Sequence, residues 1–581
     1  MSKKMETYSY EQRYQQWASF EGLTKEMKME LESIQNDSKE LEERFYTDLA
    51  FGTGGLRGIL GAGTNRMNTY TVRKASLGLG HYLKKTYVDQ DIHVVIAYDC
   101  RHQSVEFAEQ AALTLNGLGI HAHVFPELRP TPQLSYTVRQ LSAQAGIVIT
   151  ASHNPPEYNG YKVYGADGAQ MNLETADQVI QLINKIENEL TIDVMDKETA
   201  IQKGLLHTIN DQLDQAYIDY VASLTLQPDV IKQAADDFHI VFTPLHGTAL
   251  GPTTKVLKQV GFKHVHVVEE QANPDPNFST VKSPNPEEHE AFEIALQYAD
   301  QTGANLIMGT DPDADRMGVV VPDHTGTYQV LSGNQTGALI LHYLLEQKQK
   351  DGSLTAEHMI CKTIVTSELG RVLGQAFGVE TLDTLTGFKF IGEKIREFEQ
   401  TGDQQFLFGY EESYGYLIGA EARDKDAIQA VLLVAEMGAY YHRQGMTLLD
   451  ALHQIYTKYG FFKEKLVSVT MQGLEGVAKI KETMQRLREQ PPQNVSAVPV
   501  KWIEDYSTGT RFTPSGREVE KLQLPASNVV KYFLEDGSWI CVRPSGTEPK
   551  LKLYIGVEGG TEEEAQQKVE IYSKDFQQNW L

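Results

Sequence analysis

The chain has 581 residues and a formal net charge of −25 at pH 7. A chain of this length exceeds one hydrophobic core and predicts about four domains, and its acidic balance argues against nucleic acid or an anionic membrane surface as a partner, since both would repel it. No apolar run approaches the roughly eighteen residues of a membrane span, and the N-terminus lacks the apolar segment of a secretory signal. The three cysteines, Cys100, Cys361 and Cys541, match neither a disulfide framework nor a zinc spacing. We therefore expect a cytoplasmic protein.

Strand-like and helix-like segments alternate up to about residue 460, a pattern typical of α/β domains. The apolar runs at 94–97 and 240–242 each end in a polar turn, the first of which contains Asp99 and Arg101. A third run, at 363–366, leads into a helix-like stretch that ends near Phe377. These recurrences predict three similar units, although no exact repeat is visible.

The first chemical motif is the loop that follows the β-branched run at 147–150. Such a run favours a buried strand, and Pro155 and Pro156 prevent its continuation. Ser152 is therefore predicted to lie at a strand end, where open α/β sheets bind their ligands. Taken alone, a serine at this position is more often a helix cap, and the other motifs decide between the two interpretations.

The second motif places Asp311, Asp313 and Asp315 at alternate positions between two apolar runs. In an extended segment these side chains point to one side, where they could hold a hard cation. A calcium EF-hand is excluded, because its sixth position is Arg316 instead of glycine and its twelfth is Pro322 instead of glutamate. A short acidic site with open coordination positions suits Mg²⁺, and Arg316 supplies a fork that could hold a phosphate.

The third motif, at 409–419, places Glu411, Glu412 and Ser413 after the apolar residues 406–408. Carboxylates accept hydrogen bonds from neighbouring hydroxyl groups and serine can donate or accept, so this motif suits a sugar ring. A charged turn after a strand is the alternative.

The fourth motif lies between apolar runs at 539–542 and 551–554 and reads Arg-Pro-Ser-Gly-Thr-Glu-Pro-Lys from Arg543 to Lys550. A guanidinium, two hydroxyls and a glycine supply the donors that a phosphate needs. The Walker pattern is absent, and a structural hairpin is the alternative.

Taken in order, these motifs resemble those of the α-D-phosphohexomutase superfamily, and within it the bacterial α-phosphoglucomutases most closely. The stretches that carry the resemblance are FGTGGLRG at 51–58, TASHNPPEYNGYK at 150–162, GTDPDADR at 309–316, GYEESYG at 409–415 and RPSGTEPKLK at 543–552.

The resemblance implies an α/β fold in which three similar α/β domains with mixed sheets and a C-terminal α+β domain surround a central cleft. The predicted domains are 1–205 with the phosphoserine loop, 206–322 with the metal loop, 323–460 with the sugar loop and 461–581 with the phosphate loop. Polar stretches near 189–212 and 484–497 are predicted to be linkers or loops.

The resemblance also implies the reaction, which interconverts α-D-glucose 1-phosphate and glucose 6-phosphate. A phosphorylated Ser152 would give its phosphoryl group to the sugar phosphate, forming glucose 1,6-bisphosphate, and recover the other phosphate after the bisphosphate turns round. Lys162, Arg57 and His153 complete the expected catalytic group, with Lys162 the better general acid or base because arginine hardly titrates. His153 could move a proton, or it could only orient the loop, and the second role is favoured. One Mg²⁺ per subunit would be held by Ser152 and the three aspartates.

Further residues match superfamily positions that contact the substrate: Arg316, Lys389, Glu411, Ser413, Lys425, Arg543, Ser545, Gly546 and Thr547. The Glu-Glu-Ser form of the sugar motif favours glucose. The chain departs from the superfamily at Leu385, where a proline is usual, and this puts the shape of the loop before Lys389 in doubt.

Other functions remain open at this point. A phosphomannomutase or a phosphopentomutase would carry the same motifs. A Mg²⁺-dependent sugar phosphatase would release phosphate, and a non-catalytic sugar-phosphate sensor would bind without turnover. The expected partner is a small sugar phosphate, without nucleic acid or membrane, and the chain is expected to be a monomer or a homodimer.

Overall fold

A computed structural model of the chain describes residues 9–52, 54–470, 473–545 and 550–581. The α-helices are α1 Tyr10–Ala18, α2 Lys25–Ile34, α3 Ser38–Phe45, α4 Thr69–Thr86, α5 Ser104–Gly117, α6 Thr131–Gln140, α7 Leu173–Ile183, α8 Lys197–Gln202, α9 Asp211–Ser223, α10 Pro228–Ala234, α11 Leu250–Val260, α12 Glu269–Ala272, α13 Glu293–Thr302, α14 Gly333–Asp351, α15 Leu369–Phe377, α16 Lys389–Thr401, α17 Ala427–His442, α18 Leu448–Tyr459, α19 Gly473–Glu489 and α20 Glu562–Trp580. Short 3₁₀ turns span Glu189–Thr191 and His289–Phe292.

The β-strands are β1 Gly55–Ile59, β2 His93–Tyr98, β3 His121–Val124, β4 Ala145–Ile149, β5 Tyr158–Gly165, β6 Leu206–Thr208, β7 His239–Thr243, β8 His264–Val267, β9 Leu306–Thr310, β10 Met317–Pro322, β11 Tyr328–Leu331, β12 His358–Thr363, β13 Glu380–Thr384, β14 Gln405–Glu411, β15 Gly415–Leu417, β16 Phe461–Thr470, β17 Asn494–Val495, β18 Val498–Asp505, β19 Thr510–Phe512, β20 Glu518–Lys521, β21 Val530–Leu534, β22 Trp539–Pro544 and β23 Lys550–Gly559.

The chain folds into two compact units. The first comprises Met1–Val330, Gly392–Gln400 and Gly415–Gln444, and the second comprises Leu331–Ile391, Thr401–Tyr414 and Gly445–Leu581.

The first unit contains two mixed sheets. One has the strand order β1-β5-β4-β2-β3-β6, with β4, β2, β3 and β6 parallel to one another, and the other has the order β11-β10-β9-β7-β8, with β9, β7 and β8 parallel. Every residue of β4 and of β9 is buried, as expected for strands covered on both faces. The loops that leave the carboxyl ends of β4 and β9 carry Ser152 and the three aspartates, respectively.

The second unit contains a sheet in which β12 lies between β13 and β14 and is parallel to both. Its C-terminal part is an antiparallel sheet with the order β16-β23-β22-β21-β18-β19-β20, and β17 pairs with β18. Helices α19 and α20 contribute Met484, Leu487 and Phe576 to the core beside this sheet. An antiparallel sheet that shares a core with two helices is typical of an α+β domain.

The predicted fold class is confirmed, with three α/β sheets followed by an antiparallel α+β domain. The four proposed domain boundaries and the central cleft stay predictions. No helix among the described residues combines the length and the apolar character that a membrane crossing requires.

Three local expectations differ from the structure. The strand expected at 363–366 is β12, which begins earlier, at His358, and ends at Thr363; within it, the buried Lys362 is neutralised by Glu368 and Asp383. The stretch at 189–212 is not a plain linker, since it contains α8 and the edge strand β6. Helix α19 extends to Glu489, so the loop expected at 484–497 begins only after that residue.

Candidate active site

Ser152 lies in a tight turn immediately after β4. It is 3% exposed and has a φ angle of 52°, in the left-handed region that residues other than glycine rarely adopt. Its backbone N–H donates to Thr150 Oγ1 at 2.8 Å, and its hydroxyl donates to Asp311 Oδ2 at 2.6 Å. His153 Nδ1 lies 3.3 Å from the same hydroxyl. The fold therefore directs the serine oxygen to the first of the three aspartates.

The three aspartates converge as predicted, but they do so through a turn and not an extended segment. Asp311 Oδ1 accepts the backbone N–H groups of Asp315 and Arg316 at 3.0 Å each. Ala314 has a φ angle of 55°, which reverses the chain between β9 and β10. A side chain that bonds to nearby backbone N–H groups stabilises such a turn, a constraint that alternate spacing alone does not reveal.

The buried carboxylates of this turn fit a cation. Asp311, Asp313 and Asp315 each supply an oxygen atom within 4.8 Å of the others. Asp313 Oδ1 and Asp315 Oδ1 are buried and accept no hydrogen bond. Burial, together with the charges of Asp315 and Asp313, raises the pKa of Asp311 well above its usual value. Oxygen ligands and concentrated negative charge are what a hard divalent cation requires.

Two lysines neutralise part of this charge. Lys162 Nζ lies 2.7 Å from Asp313 Oδ2 and 3.3 Å from Asp315 Oδ2, and Lys425 Nζ lies 3.1 Å from Asp315 Oδ2 and 3.0 Å from Asp424 Oδ1. Burial alone would lower the pKa of Lys162, but Asp313 and Asp315 outweigh it and the pKa is raised. Lys162 is therefore protonated. Lys425, expected to contact substrate, lies here against the acidic turn.

Arg57 and Arg316 surround the serine turn. Arg57 Nη1 donates to Asn154 Oδ1 at 2.9 Å, and its strand β1 pairs with β5, which carries Lys162. Arg316 forms an ion pair with Glu287. Burial first, then the positive charges of Arg316 and Arg57, keep the pKa of His153 well below its usual value. The imidazole of His153 is therefore neutral.

In the second unit, Glu411 closes β14 beside the loop that precedes α16. Glu411 is 7% exposed, and its Oε1 accepts the backbone N–H of Gly387 at 2.9 Å. Leu385 stands where the superfamily usually has proline. Its apolar side chain is buried, at 4% exposure. Lys389 begins α16, with Nζ 5.2 Å from the centre of the Phe390 ring.

Glu412 performs a different task from Glu411. Its Oε2 accepts hydrogen bonds from Thr363 Oγ1 at 3.1 Å and from Thr366 Oγ1 at 3.2 Å. Glu412 therefore fixes the sugar motif to the end of β12. Ser413, the other residue predicted to contact the sugar, follows it and is partly exposed.

Arg543 lies near the end of β22. Its Nη2 and Nε atoms lie 3.0 Å and 3.3 Å from the hydroxyl of Tyr554 on β23, which orients the guanidinium. Ser545 N–H donates to Lys550 O at 2.7 Å and closes the base of the predicted phosphate loop. Gly546 and Thr547, which were also predicted to bind phosphate, lie outside the described residues.

The sequence did not single out Thr131 or Gly247. Thr131 Oγ1 donates to Asp313 Oδ2 at 2.8 Å, and Thr131 N–H donates to Asp313 O at 2.9 Å. Gly247 packs directly on the backbone of Pro312. Thr131 comes directly after Pro130, and Gly247 comes three residues after Pro244. A turn with a proline is common in sequences, so neither position could be linked to the acidic motif from the sequence alone.

Sequence comparisons match four family models to the chain. Their descriptions are phosphoglucomutase/phosphomannomutase alpha/beta/alpha domain I at residues 48–190, domain II at 215–326, domain III at 332–459 and the C-terminal domain at 508–574. The chain is 41% identical over 531 residues to a phosphoglucomutase from Staphylococcus haemolyticus, covering 91% of this chain and 94% of that protein. A phosphoglucomutase from Staphylococcus epidermidis is 41% identical over 520 residues, covering 90% and 92%.

Solved structures share the fold. Parafusin from Paramecium, described as a phosphoglucomutase, superposes with a TM-score of 0.68 at 18% identity, over 91% of this chain and 96% of that one. A phosphoglucomutase/phosphomannomutase family protein from Burkholderia thailandensis gives a TM-score of 0.63 at 18% identity, with the same coverage of 91% and 96%. The likeness therefore extends over most of the described chain.

Proposed function

The chain belongs to the phosphoglucomutase/phosphomannomutase family, and from this premise we propose that it interconverts α-D-glucose 1-phosphate and glucose 6-phosphate through a phosphorylated Ser152. The single observation that best supports the proposal is the Ser152 hydroxyl, which lies in a strained turn 2.6 Å from the acidic group. A serine that only capped a helix would have no reason to donate its hydroxyl to a buried carboxylate of the acidic turn.

In the forward direction the bond between phosphorus and Ser152 Oγ breaks, and a bond between phosphorus and the free sugar hydroxyl forms. The protonated Lys162 supplies a proton to the departing serine oxygen, and neutral His153 accepts the proton that the sugar hydroxyl releases. Arg57 stabilises negative charge on the transferring group. The product is glucose 1,6-bisphosphate, which turns round and returns its other phosphate to Ser152 by the reverse of these steps.

Asp311, Asp313 and Asp315 would hold one Mg²⁺ per subunit, together with an oxygen of the phosphorylated serine. When bound, this ion would neutralise charge on the phosphoryl group. The support is the pair of buried carboxylate oxygens without a hydrogen-bond donor, at Asp313 and Asp315.

Substrate binding is assigned to three groups of residues. Glu411 and Ser413 would contact sugar hydroxyls together with Lys389, which stands two residues after Gly387, the donor to Glu411. Arg316 and Lys425 would act next to the acidic turn, and the phosphate loop of Arg543, Ser545, Gly546 and Thr547 would hold the phosphate that is not reacting. The oriented guanidinium of Arg543 supports this role, because planar guanidinium groups bind phosphate through paired hydrogen bonds.

The test uses the full chain with glucose 1-phosphate, Mg²⁺ and a trace of glucose 1,6-bisphosphate. We expect glucose 6-phosphate to form without net release of phosphate, and intact-mass measurement to find one phosphate per chain. Ser152→Ala should lose both turnover and the phosphate, whereas Ser573→Ala, a buried serine on α20, should keep them.

Other results would redirect the assignment. Net phosphate release would indicate a phosphatase, and binding without turnover would indicate a sensor. Faster turnover of mannose or ribose 1-phosphate than of glucose 1-phosphate would assign that sugar phosphate as the substrate. A phosphate that persists on Ser152→Ala would place the nucleophile elsewhere.

A further inference from the structure

Arg101, in the turn after β2, donates hydrogen bonds to the backbone of the loop at 152–158, here called the serine loop. Its Nη1 donates to Pro155 O at 2.8 Å and to Tyr158 O at 3.0 Å, and its Nη2 donates to Ser152 O at 2.6 Å and to Asn154 O. The side chain is fully buried. A guanidinium has four terminal N–H groups, and here each one meets a carbonyl of the loop at 152–158, so none remains to bind a sugar phosphate.

The remaining side of Arg101 is fixed by two neighbours. Its Nε lies 3.4 Å from Asp99 Oδ2, and the other oxygen of Asp99 accepts the backbone N–H of Arg101 and the hydroxyl of Ser104, each at 2.9 Å. The guanidinium also lies over the ring of Phe278, 4.9 Å from its centre. A buried charge that is paired, hydrogen-bonded and stacked in this way has one position available to it.

The serine loop needs such support because little regular structure holds it. Ser152 is strained at a φ angle of 52°, and Pro155 and Pro156 lack backbone N–H groups. Carbonyl groups that are withdrawn from water need hydrogen-bond donors, and Arg101 supplies donors to four carbonyls of the loop, one in a buried contact and three in partly buried ones. The contact between Ser152 Oγ and Asp311 depends on the geometry that results.

We propose that Arg101, anchored by Asp99, is the positioning residue that holds Ser152 in its reactive conformation for phosphoryl transfer. The inference rests on the proposed role of Ser152. Arg101 touches no reacting atom, so its effect is on the rate of transfer and not on the affinity for the sugar phosphate.

The test compares Arg101→Lys, which keeps the charge beside Asp99 but cannot pair four carbonyls, with two other variants. Asp99→Asn keeps the shape of the side chain but removes its charge and replaces one of its acceptor oxygens with an NH₂ group, so it weakens the anchor of Arg101. Arg66→Lys is the matched control, because Arg66 is buried in the same unit at 5% exposure and pairs with Glu43. For each variant, kcat, KM, the melting temperature and the rate of Ser152 phosphorylation by glucose 1,6-bisphosphate are measured.

We expect Arg101→Lys to lower kcat and the phosphorylation rate together by about 100-fold, the effect of a displacement of about 1 Å, with KM changed by less than about threefold. Asp99→Asn should lower both rates by about tenfold, through a smaller displacement of the loop. Arg66→Lys should lower the melting temperature while kcat stays within about twofold of wild type. If Arg101→Lys does not fold, Asp99→Asn decides the question.

Two results would overturn the inference. One is an Arg101→Lys enzyme whose kcat and phosphorylation rate match those of Arg66→Lys, since the arginine would then be only structural. The other is a raised KM with unchanged kcat, which would make Arg101 a substrate ligand. Wild-type enzyme that carries no phosphate on Ser152 after treatment with glucose 1,6-bisphosphate would instead refute the proposed function, so the two failures are distinguishable.

Discussion

Replacement of Gly247 by alanine tests whether the position of the acidic turn, as well as its composition, sets the rate. A Cβ atom at Gly247 would lie 2.3 Å from Pro312 Cα and 2.5 Å from Pro312 O, whereas ordinary contacts are 3.4–4 Å. Both atoms are backbone and cannot rotate away. Since the interior is closely packed, the turn must move by about 1 Å to make room.

Pro312 lies between Asp311 and Asp313, so this movement displaces the carboxylates relative to Ser152. A displacement of about 1 Å is expected to lower kcat by about 100-fold, and overpacking is expected to cost about 1–3 kcal/mol of stability. Gly251→Ala is the matched control, because a Cβ atom there meets nothing within 4 Å. Since Gly251 lies within α11, alanine should leave kcat unchanged and stabilise the helix slightly.

The assay measures kcat for glucose 1-phosphate across a Mg²⁺ titration and the melting temperature of both variants. Gly247→Ala should require more Mg²⁺ for half-maximal rate and stay slow at saturation. If Gly247→Ala and Gly251→Ala turn over at similar rates, the reasoning about the turn is wrong.

Four further predictions concern the site and the first sheet. Lys162→Ala should lower kcat by roughly 10² to 10⁴, the range for a lost general acid or base, while Asp313→Asn should instead abolish Mg²⁺ affinity, as a metal titration would show. Arg543→Ala should lower kcat/KM by roughly ten- to hundredfold in both reaction directions, because a charge-assisted hydrogen bond is lost; steady-state kinetics with and without added glucose 1,6-bisphosphate check this. Burial and three neighbouring histidines lower the pKa of His123 to about 4. The imidazole therefore binds a proton more readily in the unfolded chain than in the folded one, and the free energy of unfolding should fall by about 1–2 kcal/mol, after allowance for solvent screening, as pH drops from about 6.5 toward 4. Urea unfolding at several pH values should show a smaller fall in His123→Gln than in wild type.

Each of these predictions has a result that contradicts it, and for Asp313→Asn that result is Mg²⁺ binding as tight as in wild type. Turnover of Lys162→Ala within a few times the wild-type rate would remove its role in proton transfer. An Arg543→Ala enzyme with unchanged constants and unchanged need for the bisphosphate would make the C-terminal loop structural. An identical pH dependence of stability in wild type and His123→Gln would show that this histidine does not titrate as the structure indicates.

Local features could be predicted where the signal lies within a few residues. The prediction that buried strands flank the acidic motif is confirmed, because uninterrupted apolar runs are typical of strands that are covered on both faces. Helix α15 ends at Phe377 as expected. Strand β6 was missed because it has three residues and no distinctive pattern, and it is held by pairing with β3.

The sequence by itself determined which chemical groups this protein carries and that they stand at strand ends, because strand burial, proline stops and glycine turns act over a few residues. Only the tertiary structure decided which groups meet. Ser152 reaches Asp311 from 159 positions away, and Lys162 reaches Asp313 from 151. The four carbonyls that Arg101 pairs belong to a loop more than 50 positions further along the chain. Such contacts depend on the order of strands in a sheet and on packing between sheets, which no local pattern records.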